Sequence, residues 1–93
     1  MKVITTPLQG LLIVEPDVYG DERGYFTECY HRARYRHIGI AHTFVQDNLS
    51  LSVKHTLRGL HYQIHRPQAK LVQVILGEVF DAVVDLRQGS STF

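Results

Sequence analysis

Hydrophobic and polar positions alternate with a period of two over much of the chain, the spacing of a half-buried β-strand. Between Thr43 and Val53, the residues Val45, Asp47, Leu49, Leu51 and Val53 share one face. Phe44, Gln46, Asn48, Ser50 and Ser52 share the other. From Lys70 to Arg87, two runs rich in Val, Ile and Leu flank the pair Gly77-Glu78. Glycine in the first place of a two-residue loop suits a type II′ turn, so this stretch predicts a β-hairpin. Its second strand carries Phe80, Ala82, Val84 and Leu86 on one face and Val79, Asp81, Val83 and Asp85 on the other. Pairing Ile75 with Phe80 adds Leu71, Gln73 and Ile75 to the first set. That face is apolar and suited to a core, and the opposite face is mixed.

Residues 56–63, Thr-Leu-Arg-Gly-Leu-His-Tyr-Gln, read as another strand interrupted by Gly59. A glycine inside a strand marks a bulge or a close backbone approach. Leu11 to Glu15 predicts a short strand, and Tyr19 to Gly24 reads as turn material with Gly24 at positive φ. Tyr25 to Tyr30 should be extended. Only His31 to Ile38 predicts a helix, with Gly39 in the place of its C′ residue. Many short strands at close spacing indicate an all-β sandwich or barrel, and no repeat or linker divides residues 1–93, which read as a single domain.

Composition narrows the function classes. Hydrophobic residues make up 44% of the 93 and charged residues 20%, a globular balance. Ten Lys and Arg against nine Asp and Glu leave a formal charge of +1, which gives no general attraction to nucleic acid or to an anionic membrane. The longest apolar run, Leu11 to Val14, is far short of a bilayer span. Residues 1–20 lack the basic start and apolar stretch of a secretory signal. Cys29 has no cysteine partner, which fits a reducing cytoplasm, and it reads as a small, half-buried packing residue. A domain of this size hides only about 60–65% of its unfolded surface, so oligomerisation is expected.

The chemistry concentrates in Leu57-Arg-Gly-Leu-His-Tyr-Gln63 and Gln68-Ala-Lys-Leu-Val72. His61 is an imidazole suited to proton abstraction at neutral pH. The Lys70 ammonium can stabilise a developing oxyanion, and the Arg58 guanidinium matches phosphate. Spacing alone favours a strand with a satisfied histidine and two solvated cations, since such triplets are common. Strict alternation would also put Arg58 and His61 on opposite faces, so the chemical reading needs a break in parity at Gly59. Gln46, Asn48 and Ser50 form a polar face that suits either a ligand inside a barrel mouth or plain solvent. His61 and His65 lie about 13 Å apart along a strand, too far to share one ion, so no metal site is expected. His31, Arg32, Arg34, Arg36 and His37 spread around the helix without forming a nucleic-acid stripe; they suit a solvated helix or a subunit contact.

Six motifs occur in one order: Phe44-Val-Gln-Asp-Asn48, Leu57-Arg-Gly-Leu-His-Tyr-Gln63, Gln68-Ala-Lys-Leu-Val72, Gly77-Glu-Val-Phe-Asp81, Val84-Asp-Leu-Arg87 and Ser91-Thr-Phe93. Together with Asp21-Glu-Arg-Gly24 and Phe26-Thr-Glu28, they closely resemble the dTDP-4-dehydrorhamnose 3,5-epimerase family. The resemblance implies a cupin-type jelly roll (a double-stranded β-helix), here truncated and carrying one short helix. It implies a homodimer that needs neither metal nor organic cofactor and acts on a dTDP-sugar.

By the same resemblance, His61 is the base that removes protons alpha to the C4 ketone, and Lys70 holds the enolate oxygen. Arg23, Glu28, Gln46, Asn48 and Arg58 correspond to substrate-binding positions, with part of the N-terminal segment reaching the partner's site. The family's tyrosine acid and the carboxylate that orients its base correspond to positions beyond Phe93. Within the chain, Asp81 and Asp85 are the carboxylates that could orient His61. The resemblance thus leads to an epimerase of cell-surface sugar biosynthesis, or its N-terminal half. The alternative is a non-catalytic cupin module or truncated paralogue that binds a nucleotide sugar or only dimerises.

Overall fold

The computed structural model describes all 93 residues, which divide into two units: residues 1–41 with 84–93, and residues 42–83. The first holds every regular element. Strand β1 (Lys2–Thr5) pairs antiparallel with β2 (Leu12–Glu15), Val3 opposite Val14 and Ile4 opposite Ile13. These β-branched pairs are the cross-strand contacts that stabilise a ladder. In the connection, Leu11 N donates to Leu8 O at 3.0 Å and the Thr6 hydroxyl reaches Leu11 O at 3.0 Å.

Strand β3 (Val18–Asp21) pairs antiparallel with β4 (Gly24–Thr27), Tyr19 opposite Phe26 and Gly20 opposite Tyr25. The turn expected over Tyr19 to Gly24 therefore tightens to Glu22-Arg23, because Tyr19 and Gly20 are drawn into the ladder. Gly24 has the anticipated positive φ, +137°.

Helix α1 (Arg32–His37) follows within the expected span, with Gly39 just past its end as its sequence predicts. His31 is the N-cap, its Nδ1 accepting from Arg34 N at 3.2 Å. At the other end Gly39, at φ +96°, donates to Arg36 O at 3.1 Å, and Ile40 N donates to Tyr35 O at 2.9 Å. That pair of bonds is a Schellman motif. Arg34, Arg36 and His37 in the last turn face the negative end of the helix dipole. Tyr35, 4% exposed, is the buried apolar anchor. Its hydroxyl donates to Cys29 O at 3.0 Å and its ring meets Tyr30 edge-on with centroids 4.9 Å apart. Cys29 itself is exposed, not half-buried as expected.

The first unit ends in a loop built around one carboxylate. Asp85 accepts from Arg87 N at 3.0 Å, Arg87 Nε at 2.8 Å, Ser90 Oγ at 2.6 Å and Thr92 Oγ1 at 2.6 Å. This set holds its carboxyl well below the usual carboxylate range, the Arg87 guanidinium contributing most, then the two hydroxyls. Its five donors, Arg87 N, Nε and Nη2, Ser90 Oγ and Thr92 Oγ1, all lie within its own loop.

Residues 42–83 carry the clearest alternation in the sequence yet form no ladder. None of the expected strands at 43–53, 56–63 and in the 70–87 hairpin is part of a β-ladder. The hairpin's apolar face is uncovered, with Phe80 95% exposed, and a lone two-stranded hairpin lacks the burial that holds it in water. The break between the first two expected strands is in place, however. A turn joins Val53 and Thr56, whose N and Oγ1 reach Val53 O at 3.3 and 2.7 Å, with His55 at φ +68°. The chain is thus made of small antiparallel sheets and one short helix, and no helix is long and apolar enough to cross a membrane.

Candidate active site

Arg23 and Glu28 belong to the first unit, at opposite ends of β4. At the hairpin turn, Asp21 Oδ1 accepts from Arg23 N at 2.8 Å. The Arg23 guanidinium returns to the same carboxylate, Nε at 3.1 Å and Nη2 at 2.6 Å from Oδ2. Side-chain bonding of this kind over two residues is how Asp shapes a turn. It lowers the Asp21 pKa and raises that of Arg23. The guanidinium stays exposed and borders an open hollow of about 240 Å³ lined by Tyr19, Asp21, Arg23, Gly24, Tyr25 and Phe26. Three aromatic rings border the hollow beside a guanidinium whose charge the Asp21 carboxylate offsets.

Glu28 leaves β4 toward α1 and meets Arg34 there in a two-point pair. Arg34 Nε donates to Oε1 at 2.9 Å and Nη2 to Oε2 at 2.7 Å. The Arg34 bonds, aided by the Arg34 charge, hold Glu28 below its ordinary pKa.

The other candidates lie in the second unit and are exposed. Gln46 Nε2 donates to Asn48 Oδ1 at 3.2 Å, so these two share a face as the alternation requires. Arg58 Nε donates to Ser52 Oγ at 3.0 Å, and Lys70 Nζ to Gln68 Oε1 at 2.8 Å. Gly59, between Arg58 and His61, has φ +108°, a conformation that L side chains rarely adopt. A Cβ there would stand 3.5 Å from His61 Nδ1, so the imidazole folds back over the glycine. No residue of 42–83 lies in a ladder, Arg58 to His61 included, so the positive φ at Gly59 is a local turn of the backbone and not a bulge within a strand.

Gln46 and Asn48 are brought together; His61 and Lys70 are not hydrogen-bonded to one another. No three His, Cys, Asp or Glu side chains converge as a metal ion would require. Sequence reasoning missed Arg34 and Ser52 as partners of site residues. The Glu28–Arg34 pair spans six positions across a helix cap, outside the i, i+3 and i, i+4 spacings that expose such pairs.

Comparison with known proteins adds a second line. The family described as dTDP-4-dehydrorhamnose 3,5-epimerase matches residues 5–93. A dTDP-4-dehydrorhamnose 3,5-epimerase of Methanothermobacter thermautotrophicus is 53% identical over 92 residues, covering 99% of this chain and 50% of its own length. One from Pseudomonas aeruginosa is 49% identical, covering 100% of this chain and 52% of its own length. A Streptomyces niveus protein named dTDP-4-dehydrorhamnose 3-epimerase is 40% identical, with 46% of its length covered. The chain spans about half the length of the curated relatives it matches. With the match running from residue 5 to residue 93, the chain belongs to the dTDP-4-dehydrorhamnose 3,5-epimerase family.

Proposed function

We propose that the protein is a carbohydrate epimerase acting on a dTDP-4-dehydro-6-deoxyhexose, within dTDP-rhamnose and cell-surface polysaccharide biosynthesis. The observation that carries this is the family match over residues 5–93, a span that takes in Arg23, Glu28, Gln46, Asn48, Arg58, His61 and Lys70. The 93 residues contribute to one cupin-type jelly roll in a cytoplasmic homodimer, with the N-terminal segment serving the partner's site.

His61 removes the proton from the carbon alpha to the C4 ketone. The C–H electron pair moves into the ring and onto the ketone oxygen, giving an enolate that the Lys70 ammonium stabilises. A carbon acid of this kind needs base and charge stabilisation together, each acting where the transition state develops charge. A separate acid returns a proton to the opposite ring face and inverts the centre; no residue of this chain is assigned that role. Arg58 and Arg23 meet the diphosphate, and Gln46, Asn48 and Glu28 take the hydrogen-bonding groups of the nucleotide sugar.

Expressed from its whole coding sequence, the protein should convert dTDP-4-dehydro-6-deoxyglucose to an epimer seen by proton NMR. Tight dTDP binding by calorimetry without any epimer would leave only the binding-module reading. The share of product inverted at C3 alone decides between the two activities named among the relatives.

A further inference from the structure

We propose that Arg34 is a positioning residue: it fixes the Glu28 carboxylate so that the outward side of each oxygen is presented to a hydrogen-bond donor of the bound nucleotide sugar. This rests on the reading of Glu28 as a substrate contact. Three observations lead to it. The guanidinium engages both carboxylate oxygens through two parallel bonds, at 2.9 and 2.7 Å, a geometry that fixes the plane as well as the place of the carboxylate. A carboxylate has about four acceptor sites, so this fork leaves one free on each oxygen. The Glu28 side chain remains 39% exposed, so those sites are open to a ligand.

Arg34 is itself held in place. Its backbone N–H donates to the His31 N-cap at 3.2 Å, and its carbonyl accepts from Ile38 N at 3.3 Å, within the capped helix. The short helix thereby acts as a mount for a fork that aims a carboxylate across the cap. The ligand group is a neutral donor, a hydroxyl or an N–H, since a carboxylate repels the diphosphate.

The test compares Arg34→Met, Arg34→Lys, Glu28→Ala and the double variant Arg34→Met/Glu28→Ala in the protein expressed from its whole coding sequence. KM and kcat for dTDP-4-dehydro-6-deoxyglucose are read beside thermal melting. Arg34→Met should raise KM about five- to tenfold with kcat moved far less, in line with losing a hydrogen bond to a charged group. Arg34→Lys, which keeps the charge and loses the fork, should recover part of that loss. The double variant should bind no worse than Glu28→Ala alone, because Arg34 acts through Glu28.

An unchanged KM in Arg34→Met beside a raised one in Glu28→Ala overturns the positioning role and leaves Glu28 as a contact. Additive losses in the double variant also overturn it. An unchanged KM in Glu28→Ala removes the underlying reading and the proposal with it. A fall in melting temperature with KM intact assigns the pair to helix stability alone and overturns the proposal.

Discussion

Asp85 and Arg87 stand two residues apart and are joined three times: through the Arg87 backbone N–H at 3.0 Å, Nε at 2.8 Å and Nη2 at 3.0 Å. Ser90 and Thr92 complete the shell, and the Asp85 carboxylate is buried beneath them. Its pKa is depressed on folding, so its contribution to stability is fully present above the unfolded value of about 3.9. That contribution fades as pH falls below this value toward the folded one. Asp85→Asn should lower the thermal midpoint at pH 7 and flatten its fall between about pH 5 and 2. Circular dichroism melts across that range check it; parallel profiles for the two proteins would contradict it.

Gly59 is the second point of sensitivity. At φ +108° an L side chain is strained by about 1–3 kcal/mol. Relaxing that strain turns the peptide that carries His61. Gly59→Ala should therefore cut kcat by about 10²-fold, the scale of a misplaced catalytic group. A wild-type kcat in this variant would show that the imidazole does not depend on the glycine.

Helix α1 should respond locally and modestly. Tyr35→Phe removes the bond to Cys29 O and should cost about 1 kcal/mol. Gly39→Ala forces a side chain into φ +96° and should cost about 1–2 kcal/mol. Urea unfolding reads both, and a neutral result for Gly39→Ala would mean the Schellman turn contributes nothing.

The apolar face of residues 45–53 predicts association. Val45 and Leu51 are 91% and 92% exposed, and Leu49 and Val53 accompany them. An uncovered stripe of this kind seeks a partner surface. The 93 residues expressed alone should sediment as a dimer or larger species, and Leu51→Asp should shift them toward monomer. A monodisperse monomer that melts cooperatively would contradict this.

Legibility in the sequence followed how local the physics was. Helix α1 was readable because its span and its terminating glycine lie within residues 31–39, whereas its N-cap is a histidine, outside the residue types that announce a helix start. Strand β1 escaped notice: Lys2–Thr5 offers only Val3 and Ile4, too few positions for a period to show. The alternation over 43–53 marks which side chains suit a core, but a ladder also needs a neighbouring strand, and none pairs with it here. His61 and Lys70 stood out as residue types matched to a reaction, whereas their approach to a common ligand depends on long-range folding. The Asp85 shell left only a faint trace, hydroxyl residues five and seven places after a carboxylate. Gly59 stood out because strict alternation separates Arg58 from His61, and its backbone has the positive φ that glycine tolerates.

The account depends on His61 as the base and Lys70 as the cation that holds the enolate. Solvent deuterium entering the sugar beside the C4 ketone measures proton abstraction itself, whether or not a centre is inverted. With dTDP-4-dehydro-6-deoxyglucose in deuterated buffer, the protein expressed from its whole coding sequence should wash in deuterium. His61→Ala should slow this by about 10²–10⁴-fold, and Lys70→Met by about 10²–10³-fold. Exchange at the wild-type rate in His61→Ala would contradict the account.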